Sequence, residues 1–278
     1  MRTMLFGGDR RTLFLAQLFK TKGQTEIWGL DSLGIESANM EFASVADIIV
    51  LPYPCFDGEM LRAPMSASQL SKDFLLGLCA GKTVFAGAPS ADFLEKAKKS
   101  GTRVFDYATE DLLKDNAYIT AEGALGIALS DMPRAVRGAK ILVLGCGRIG
   151  RELAILLKKV GAEVTVTAMR EESKLWAKEN RLDFVQTDCV LSSEIQCYSG
   201  VFNTVPMASF GKREIAKTAA DCLLVELASR PGGIDTEAAK SMGRKFINAQ
   251  GLPGKIAPKS ASEIIYREID RILKSEEI

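Results

Sequence analysis

Gly145, Gly147 and Gly150 stand at the G-x-G-x-x-G spacing that lets a peptide turn wrap the pyrophosphate of a dinucleotide. An apolar run from Ile141 to Leu144 precedes them. A stretch with Leu153, Leu156, Leu157 and Val160 on one helical face follows. The pattern is therefore strand, glycine turn, helix. The first glycine permits the tight turn, the second lets backbone approach a phosphate, and the third lets helix and strand pack closely. The helix start adds N–H groups and the positive end of a dipole. The chemistry this predicts is binding of a nicotinamide dinucleotide, and with it hydride transfer. Gly145, Cys146, Gly147, Arg148, Ile149 and Gly150 are the first cofactor-binding candidates.

The next strand, read over residues 163–167 after Gly161, bears on which dinucleotide is bound. A site for NAD places Asp or Glu at that strand's end, about 20 residues past the glycines, to bind the ribose 2′-hydroxyl. Here the chain reads Thr167, Ala168, Met169, Arg170. A carboxylate would repel a 2′-phosphate, whereas a guanidinium attracts it. Met169 and Arg170 are thus expected beside the cofactor, and NADP(H) is favoured over NAD(H). The plain alternative for Arg170 is a solvated residue at a helix start. Asn203, Thr204, Val205 and Pro206 follow the fourth strand, where the chain approaches the nicotinamide ribose. Ala228, after the fifth strand, is placed with them.

The elements that must hold these residues alternate strand and helix, which predicts parallel sheets covered on both faces. Residues 1–118 repeat the later pattern in degenerate form. Gly7 aligns with Gly145 and Gly23 with Gly161, but Asp9 falls at the place of Gly147 and Thr12 at that of Gly150. A carboxylate there opposes a pyrophosphate, so no second nucleotide site is expected. Strands are read at 3–6, 26–28, 46–51, 83–86 and 103–105, with helices at 12–19, 72–80 and 91–99. Further strands are read at 184–186, 200–204, 222–227 and 245–248, and a closing helix at 260–274. The fold class is α/β, with two doubly wound parallel-sheet, Rossmann-like domains and a cleft between them. One domain, residues 1–118, carries substrate and is completed by the C-terminal helix 256–278. The other, residues 119–255, binds the dinucleotide and includes a crossing helix, 120–131.

Composition narrows the function classes. The 278 residues carry a net charge of +1 and are 47% hydrophobic, which points to a globular protein and away from nucleic acid or an anionic membrane. No apolar run approaches the ~18–20 residues of a membrane span. The apolar N-terminal stretch stops at Phe6, short for a signal-peptide core. The six cysteines are scattered without a CxxC, which predicts reduced thiols in a cytoplasmic setting and no metal site. The chain has no histidine, so acid–base work falls to Asp, Glu, Lys, Tyr, Cys or water.

Within the turns that follow the strands, Glu122 and Asp9 are the candidate proton acceptors. Arg10, Thr120, Arg230, Lys255 and Lys259 are the candidate substrate contacts. Each has a bland counterpart. Glu122 in a first helical turn complements the dipole. Asp9 caps a helix, as does Thr120 for the crossing helix. Arg10 is a solvated charge. Residues 229–233 form either an anion-binding nest with Arg230 or a helix entry. Tyr53 and Tyr107 read as packing residues.

The segments 7–10, 46–54, 116–124, 142–150, 227–233 and 251–259 together resemble the A-subunit family of dipicolinate synthases, in order and over nearly the whole chain. The resemblance implies an NADP-dependent oxidoreductase of sporulation. It would oxidise a dihydrodipicolinate, derived from 4-hydroxytetrahydrodipicolinate, to dipicolinate. It would work in the mother-cell cytoplasm with a flavoprotein-like B-type partner of the same synthase. Such a substrate carries two carboxylates, which asks for a cationic clamp from among Arg10, Arg230, Lys255 and Lys259, and Glu122 is the first choice of base. Two other readings stand beside this one. One is an NADP-linked dehydrogenase of a 2-hydroxy or 2-amino acid. The other is a nucleotide-binding platform without chemistry of its own. Whether the chain forms a homo-oligomer is left open.

Overall fold

The computed structural model describes residues 1–192 and 194–278. The chain divides into two compact units. Unit 1 is Met1–Asp115 with Ala257–Ile278, and unit 2 is Asn116–Ile256.

Unit 1 opens with β1 (Arg2–Phe6), α1 (Arg10–Lys20), β2 (Gln24–Trp28), α2 (Met40–Val45) and β3 (Ile48–Val50). A small antiparallel ribbon, β4 (Phe56–Asp57) and β5 (Met60–Leu61), turns on Gly58, whose φ of +61° suits glycine. Next come α3 (Lys72–Cys79), β6 (Thr83–Ala86), α4 (Ala91–Lys99), β7 (Arg103–Asp106) and α5 (Glu110–Asp131), and α5 contains the boundary between the units. The sheet is parallel throughout, in the order β2-β1-β3-β6-β7. That is the flavodoxin-like winding.

Unit 2 holds β8 (Lys140–Leu144), α6 (Arg148–Lys159), β9 (Glu163–Ala168), α7 (Glu171–Glu179), β10 (Asp183–Gln186) and β11 (Gly200–Asn203). It continues with α8 (Lys212–Lys217), β12 (Leu223–Glu226), α9 (Thr236–Ser241), β13 (Lys245–Asn248) and α10 (Leu252–Ile256). Its parallel sheet runs β10-β9-β8-β11-β12-β13, the order of two mononucleotide-binding halves back to back. The switch point lies between β8 and β11, where Leu142 pairs with Val201. Finally α11 (Pro258–Ser275) closes unit 1.

Burial explains why these segments became these elements. Ile141, Leu142, Val143 and Leu144 are all buried, because helices cover both faces of β8. On α6 the buried positions Gly150, Leu153, Ala154 and Leu157 recur at helical spacing, and Lys158 and Lys159 sit in its last turn. On α11 the buried stripe is Ile265, Ile269 and Leu273, which joins Leu15 and Phe19 of α1 in one apolar cluster. Each fully buried aliphatic side chain contributes about 1.5–3 kcal/mol.

The two sheets and their helices follow the predicted alternation. The crossing helix is longer than expected at its start, Glu110 rather than residue 120. The short helices α2, α8, α9 and α10, five or six residues each, and the β4–β5 ribbon were not predicted. One or two turns are too few for a hydrophobic period to register. Among the described residues, no helix is long and apolar enough to cross a membrane.

Ile269 is fully buried in the α1–α11 cluster. Ile269→Ala is expected to lower the stability of unit 1 by about 2–4 kcal/mol. The check is a urea titration followed by Trp28, the tryptophan of unit 1, with Trp176 of unit 2 replaced by Phe. An unchanged midpoint would remove α11 from the unit 1 core.

Candidate functional site

In unit 2 each glycine of the turn has its own steric reason. Gly145 has φ +97°, and a Cβ on it would meet Thr204 Oγ1 at 2.5 Å and Val205 Cγ2 at 2.8 Å. A Cβ on Gly150 would lie 2.2 Å from the Gly145 carbonyl oxygen, so the third glycine lets α6 come down on the turn. Gly147 differs, since a Cβ there would meet nothing within 4 Å. Gly147 is also the N-cap of α6 and supplies no side-chain acceptor. The turn is thus packed tightly at two glycines and open at the one where a phosphate would approach, so these residues fit a dinucleotide.

Neighbouring groups fix this turn. Thr204 Oγ1 donates to Leu144 O at 2.8 Å, Gly145 N donates to Thr167 Oγ1 at 3.2 Å, and Arg151 Nε donates to Cys146 O at 3.0 Å. The Arg151 guanidinium lies 5.1 Å from the centre of the Trp176 ring, which braces α6 against α7. Arg148 and Ile149 open the helix. The structure therefore brings the glycine turn together with Thr204 and Val205. Met169 and Arg170 stand exposed beyond the end of β9, and Arg170 is the N-cap of α7. Pro206 is exposed as well.

The segments after β11 and β12 meet at a buried carboxylate that sequence reading did not single out. Glu226 is 4% exposed, at the end of β12. Its Oε1 accepts from Asn203 Nδ2 at 2.8 Å and Ala228 N at 2.9 Å, and its Oε2 accepts from Gly233 N at 2.8 Å and Ile234 N at 2.9 Å. Around the loop 229–233, the N–H groups of Ala228, Gly233 and Ile234 are thus gathered on this internal carboxylate. The signal available in sequence was a lone Glu ending an apolar strand. Exposed Arg230 rides on this loop. A pocket of about 490 Å³ opens beside it, lined by Glu226, Arg230, Thr236, Phe246, Asn248 and Gln250 among others.

In unit 1 the degenerate turn is filled from within. Asp9 is the N-cap of α1 and accepts from Arg11 N at 3.0 Å. It also pairs with the buried Arg11 guanidinium at 2.9 Å, and Arg11 in turn donates to Tyr53 O at 2.8 Å. Thr12 Oγ1 donates to Gly7 O at 2.8 Å, spanning the gap that Gly150 closes by direct approach in unit 2. Burial pushes the Asp9 carboxyl up, but the Arg11 charge and its hydrogen bonds outweigh that and hold it below its ordinary value. This corrects the expectation of Asp9 as a proton acceptor: it is a cap and an ion-pair partner. Arg10 is exposed. Ser262 Oγ donates to Arg11 O at 2.7 Å, so the first turn of α11, which carries exposed Lys259, is fastened to the first turn of α1.

Two further expectations change. Thr120 and Glu122 lie in the interior of α5 and not in its first turn. Thr120 caps nothing; it is buried and its hydroxyl donates to Asn116 O at 2.7 Å. Glu122 is exposed and does not complement a helix start. The miss has a physical source: residues 110–119 carry polar groups that masked the helix's true beginning. Beside Glu122, a Cβ on Gly123 would meet Ile256 Cδ1 at 2.8 Å, so α10, which carries exposed Lys255, packs there. Tyr107 is buried with its hydroxyl donated to Leu51 O at 2.8 Å, and burial pushes its pKa well above the ordinary value. Burial likewise pushes the Cys55, Cys79 and Cys222 thiols up to about 12, which makes them poor nucleophiles. Among the described residues, no group of three His, Cys, Asp or Glu side chains is placed to hold a metal ion.

Comparison with known proteins agrees with this geometry. Residues 2–108 match the family model for the N-terminal domain of the dipicolinate synthase A subunit. The chain is 28% identical to the dipicolinate synthase A subunit of Bacillus subtilis (strain 168), covering 98% of this chain and 96% of that protein. By sequence, the chain is thus similar to the dipicolinate synthase A subunit. The crystal structure of that subunit from Bacillus halodurans superposes with a TM-score of 0.83 over 98% of this chain and 97% of that one, at 23% identity. D-lactate dehydrogenase from Escherichia coli shares the fold at a TM-score of 0.70 and 13% identity, covering 100% of this chain and 97% of that one. The chain therefore has a dehydrogenase-type fold, one that suits a nucleotide cofactor.

The Asp9–Arg11 pair lies inside the segment that matches the dipicolinate synthase model. Asp9→Asn leaves Arg11 buried without its anion and is expected to cost unit 1 about 2–4 kcal/mol at neutral pH. The native carboxyl titrates below the ordinary value of 3.8. Its contribution is therefore full above that value and is lost as the pH falls through the lower native one. The gap in urea midpoint between parent and variant should be wide at neutral pH and close in acid. An equal gap throughout would remove the ion pair as its cause.

Proposed function

We propose that this chain is an NADP-dependent oxidoreductase that oxidises dihydrodipicolinate, derived from 4-hydroxytetrahydrodipicolinate, to dipicolinate. The observation that carries the reading is the glycine turn of unit 2, sterically open at Gly147 and packed against Thr204 and Val205. The sequence likeness to the dipicolinate synthase A subunit supports the substrate class.

In this reading Gly145, Cys146, Gly147, Arg148, Ile149 and Gly150 hold the pyrophosphate of NADP(H). Arg170 and Met169 meet the 2′-phosphate end, and residues 203–206 with Ala228 face the nicotinamide side. When bound, NADP⁺ supplies a hydride acceptor. The chain's own residues supply the rest. The ring loses a hydride and a proton on aromatisation, and with no histidine in the chain a carboxylate, another side-chain base or water takes the proton. With Asp9 held in its ion pair, exposed Glu122 is the acceptor we propose. Both substrate carboxylates ask for cations, and Arg230, on the wall of the unit 2 pocket, is the first choice. Arg10, Lys255 and Lys259 are the remaining candidates, and Thr120 is reduced by its helical hydrogen bond. The flavoprotein-like B-type component of the synthase is the proposed partner, and the cytoplasm of a sporulating mother cell the proposed setting.

The deciding assay follows NADPH and dipicolinate together, from NADP⁺ and fresh hydroxytetrahydrodipicolinate, with and without that flavoprotein-like partner. Equal appearance of both products is expected. Tight NADP(H) binding with no product in either mixture would favour a nucleotide-binding platform. Arg170→Ala should weaken NADP(H) about tenfold or more and leave NAD(H) nearly unchanged. Equal small effects on both would remove the reason for choosing NADP. Glu122→Gln should cut turnover about 100-fold or more while NADP(H) affinity holds. Unchanged turnover would end its role as base.

A further inference from the structure

We propose that Glu226 is a positioning residue that sets the segment after β11 and the segment after β12 as one piece. The proposal rests on the reading above, in which residues 203–206 meet the cofactor and Arg230 meets the substrate. The two segments have no covalent reason to move together, since 23 residues separate Asn203 from Glu226 along the chain. Beyond the β11–β12 ladder, which reaches Leu227 N donating to Asn203 O at 2.9 Å, the Glu226 carboxylate joins them by hydrogen bonds. Through Oε1 it takes the Asn203 side chain and the Ala228 N–H, and through Oε2 the N–H groups of Gly233 and Ile234.

The bonds continue outward on both sides. Asn203 Nδ2 also donates to Val205 O at 2.9 Å, and Asn203 Oδ1 accepts from Val205 N at 3.1 Å and Ser209 Oγ at 3.2 Å. Asn203 thereby folds the turn back on itself before handing it to Glu226. From the other side, the Gly233 carbonyl accepts from Ser209 N and Phe210 N, both at 3.0 Å. Steric fit closes the junction. A Cβ on Gly233 would lie 2.6 Å from Met207 O and from Ser209 Oγ, and 2.7 Å from Asn203 Nδ2. Gly232, at φ +85°, wraps the carboxylate so closely that a Cβ would meet Glu226 Oε2 at 3.0 Å. A carboxylate buried this deeply, with all four bonds coming from N–H donors of these two segments, is a fixed node and not a group awaiting a ligand. Its consequence is that the cofactor-facing turn and the loop bearing Arg230 keep one geometry.

Glu226→Gln tests this with almost no change of shape. An amide has one acceptor oxygen, so whichever way it points, its NH₂ faces N–H groups that the carboxylate had satisfied. Hydrogen exchange without cofactor should then show faster exchange, by about tenfold or more, in peptides covering 203–210 and 228–234 together, with the glycine turn 145–150 unchanged. In the same variant NADP(H) affinity should fall and KM for the substrate should rise, by about tenfold to a hundredfold in combined kcat/KM. Gly233→Ala, which forces the junction apart from the opposite side, should give the same paired pattern and serves if the glutamine variant does not fold. Faster exchange confined to 228–234, or paired exchange with NADP(H) affinity and KM both unchanged, would overturn the positioning role. A parent protein that binds no NADP(H) at all would instead end the cofactor reading beneath it.

Discussion

The turns at the carboxyl ends of these strands are governed by one constraint: backbone N–H groups gathered at a helix start or a tight loop need an acceptor. The chain meets that need in contrasting ways. At the start of α1 it supplies Asp9. After β12 it supplies Glu226. At the start of α6 the corresponding residue is Gly147, which brings no side chain. The same strand–turn–helix geometry is thereby self-satisfied in unit 1 and left open to an external anion in unit 2. The difference between the two turns rests on which residue follows the first glycine of each by two positions.

The two units differ in sheet order as well. Unit 2 has both mononucleotide halves, in the order that places its switch point between β8 and β11, next to the glycine turn. Unit 1 has the flavodoxin-like order with its switch point between β1 and β3. There the Asp9–Arg11 pair and the Arg11–Tyr53 hydrogen bond occupy the corresponding place. A buried ion pair is a poor source of net stability but a strong determinant of geometry, because breaking one partner strands the other. In unit 1 it fixes the loop after β3 to the start of α1.

Much of this was legible in the sequence for physical reasons. The strands are apolar runs bounded by glycine and proline, and the helices α1, α3, α4, α6 and α11 are long enough to show a face. The glycine spacing carried its own stereochemistry: Gly145 and Gly150 have no room for a Cβ, and a Cβ on Gly147 would meet nothing within 4 Å. The start of α5 was not legible, because polar residues over its first turns broke the apolar period, and with it went the expected position of Thr120 and Glu122. Glu226 was invisible for a different reason. A carboxylate at a strand end reads as solvated, and only the loop folding back over it, through Gly232 and Gly233, turns it into the buried centre of two segments. Arg151, likewise, reads as one more surface charge until Trp176 is seen beneath it.

The absence of histidine takes on meaning in this setting. A dehydrogenase acting on a hydroxyl group must remove a proton held at high pKa in step with the hydride, and a positioned imidazole suits that task. A ring that becomes aromatic as it loses hydride gives up its proton to a far weaker base, so a carboxylate or water suffices. The half-buried carboxylate of Asp9 and the buried one of Glu226 are bound to their guanidinium and N–H partners, whereas Glu122 is exposed. A chain without imidazole is therefore better matched to an oxidation that aromatisation drives than to a reversible alcohol–ketone exchange. The lack of histidine is compatible with the proposed reaction and is not specific to it.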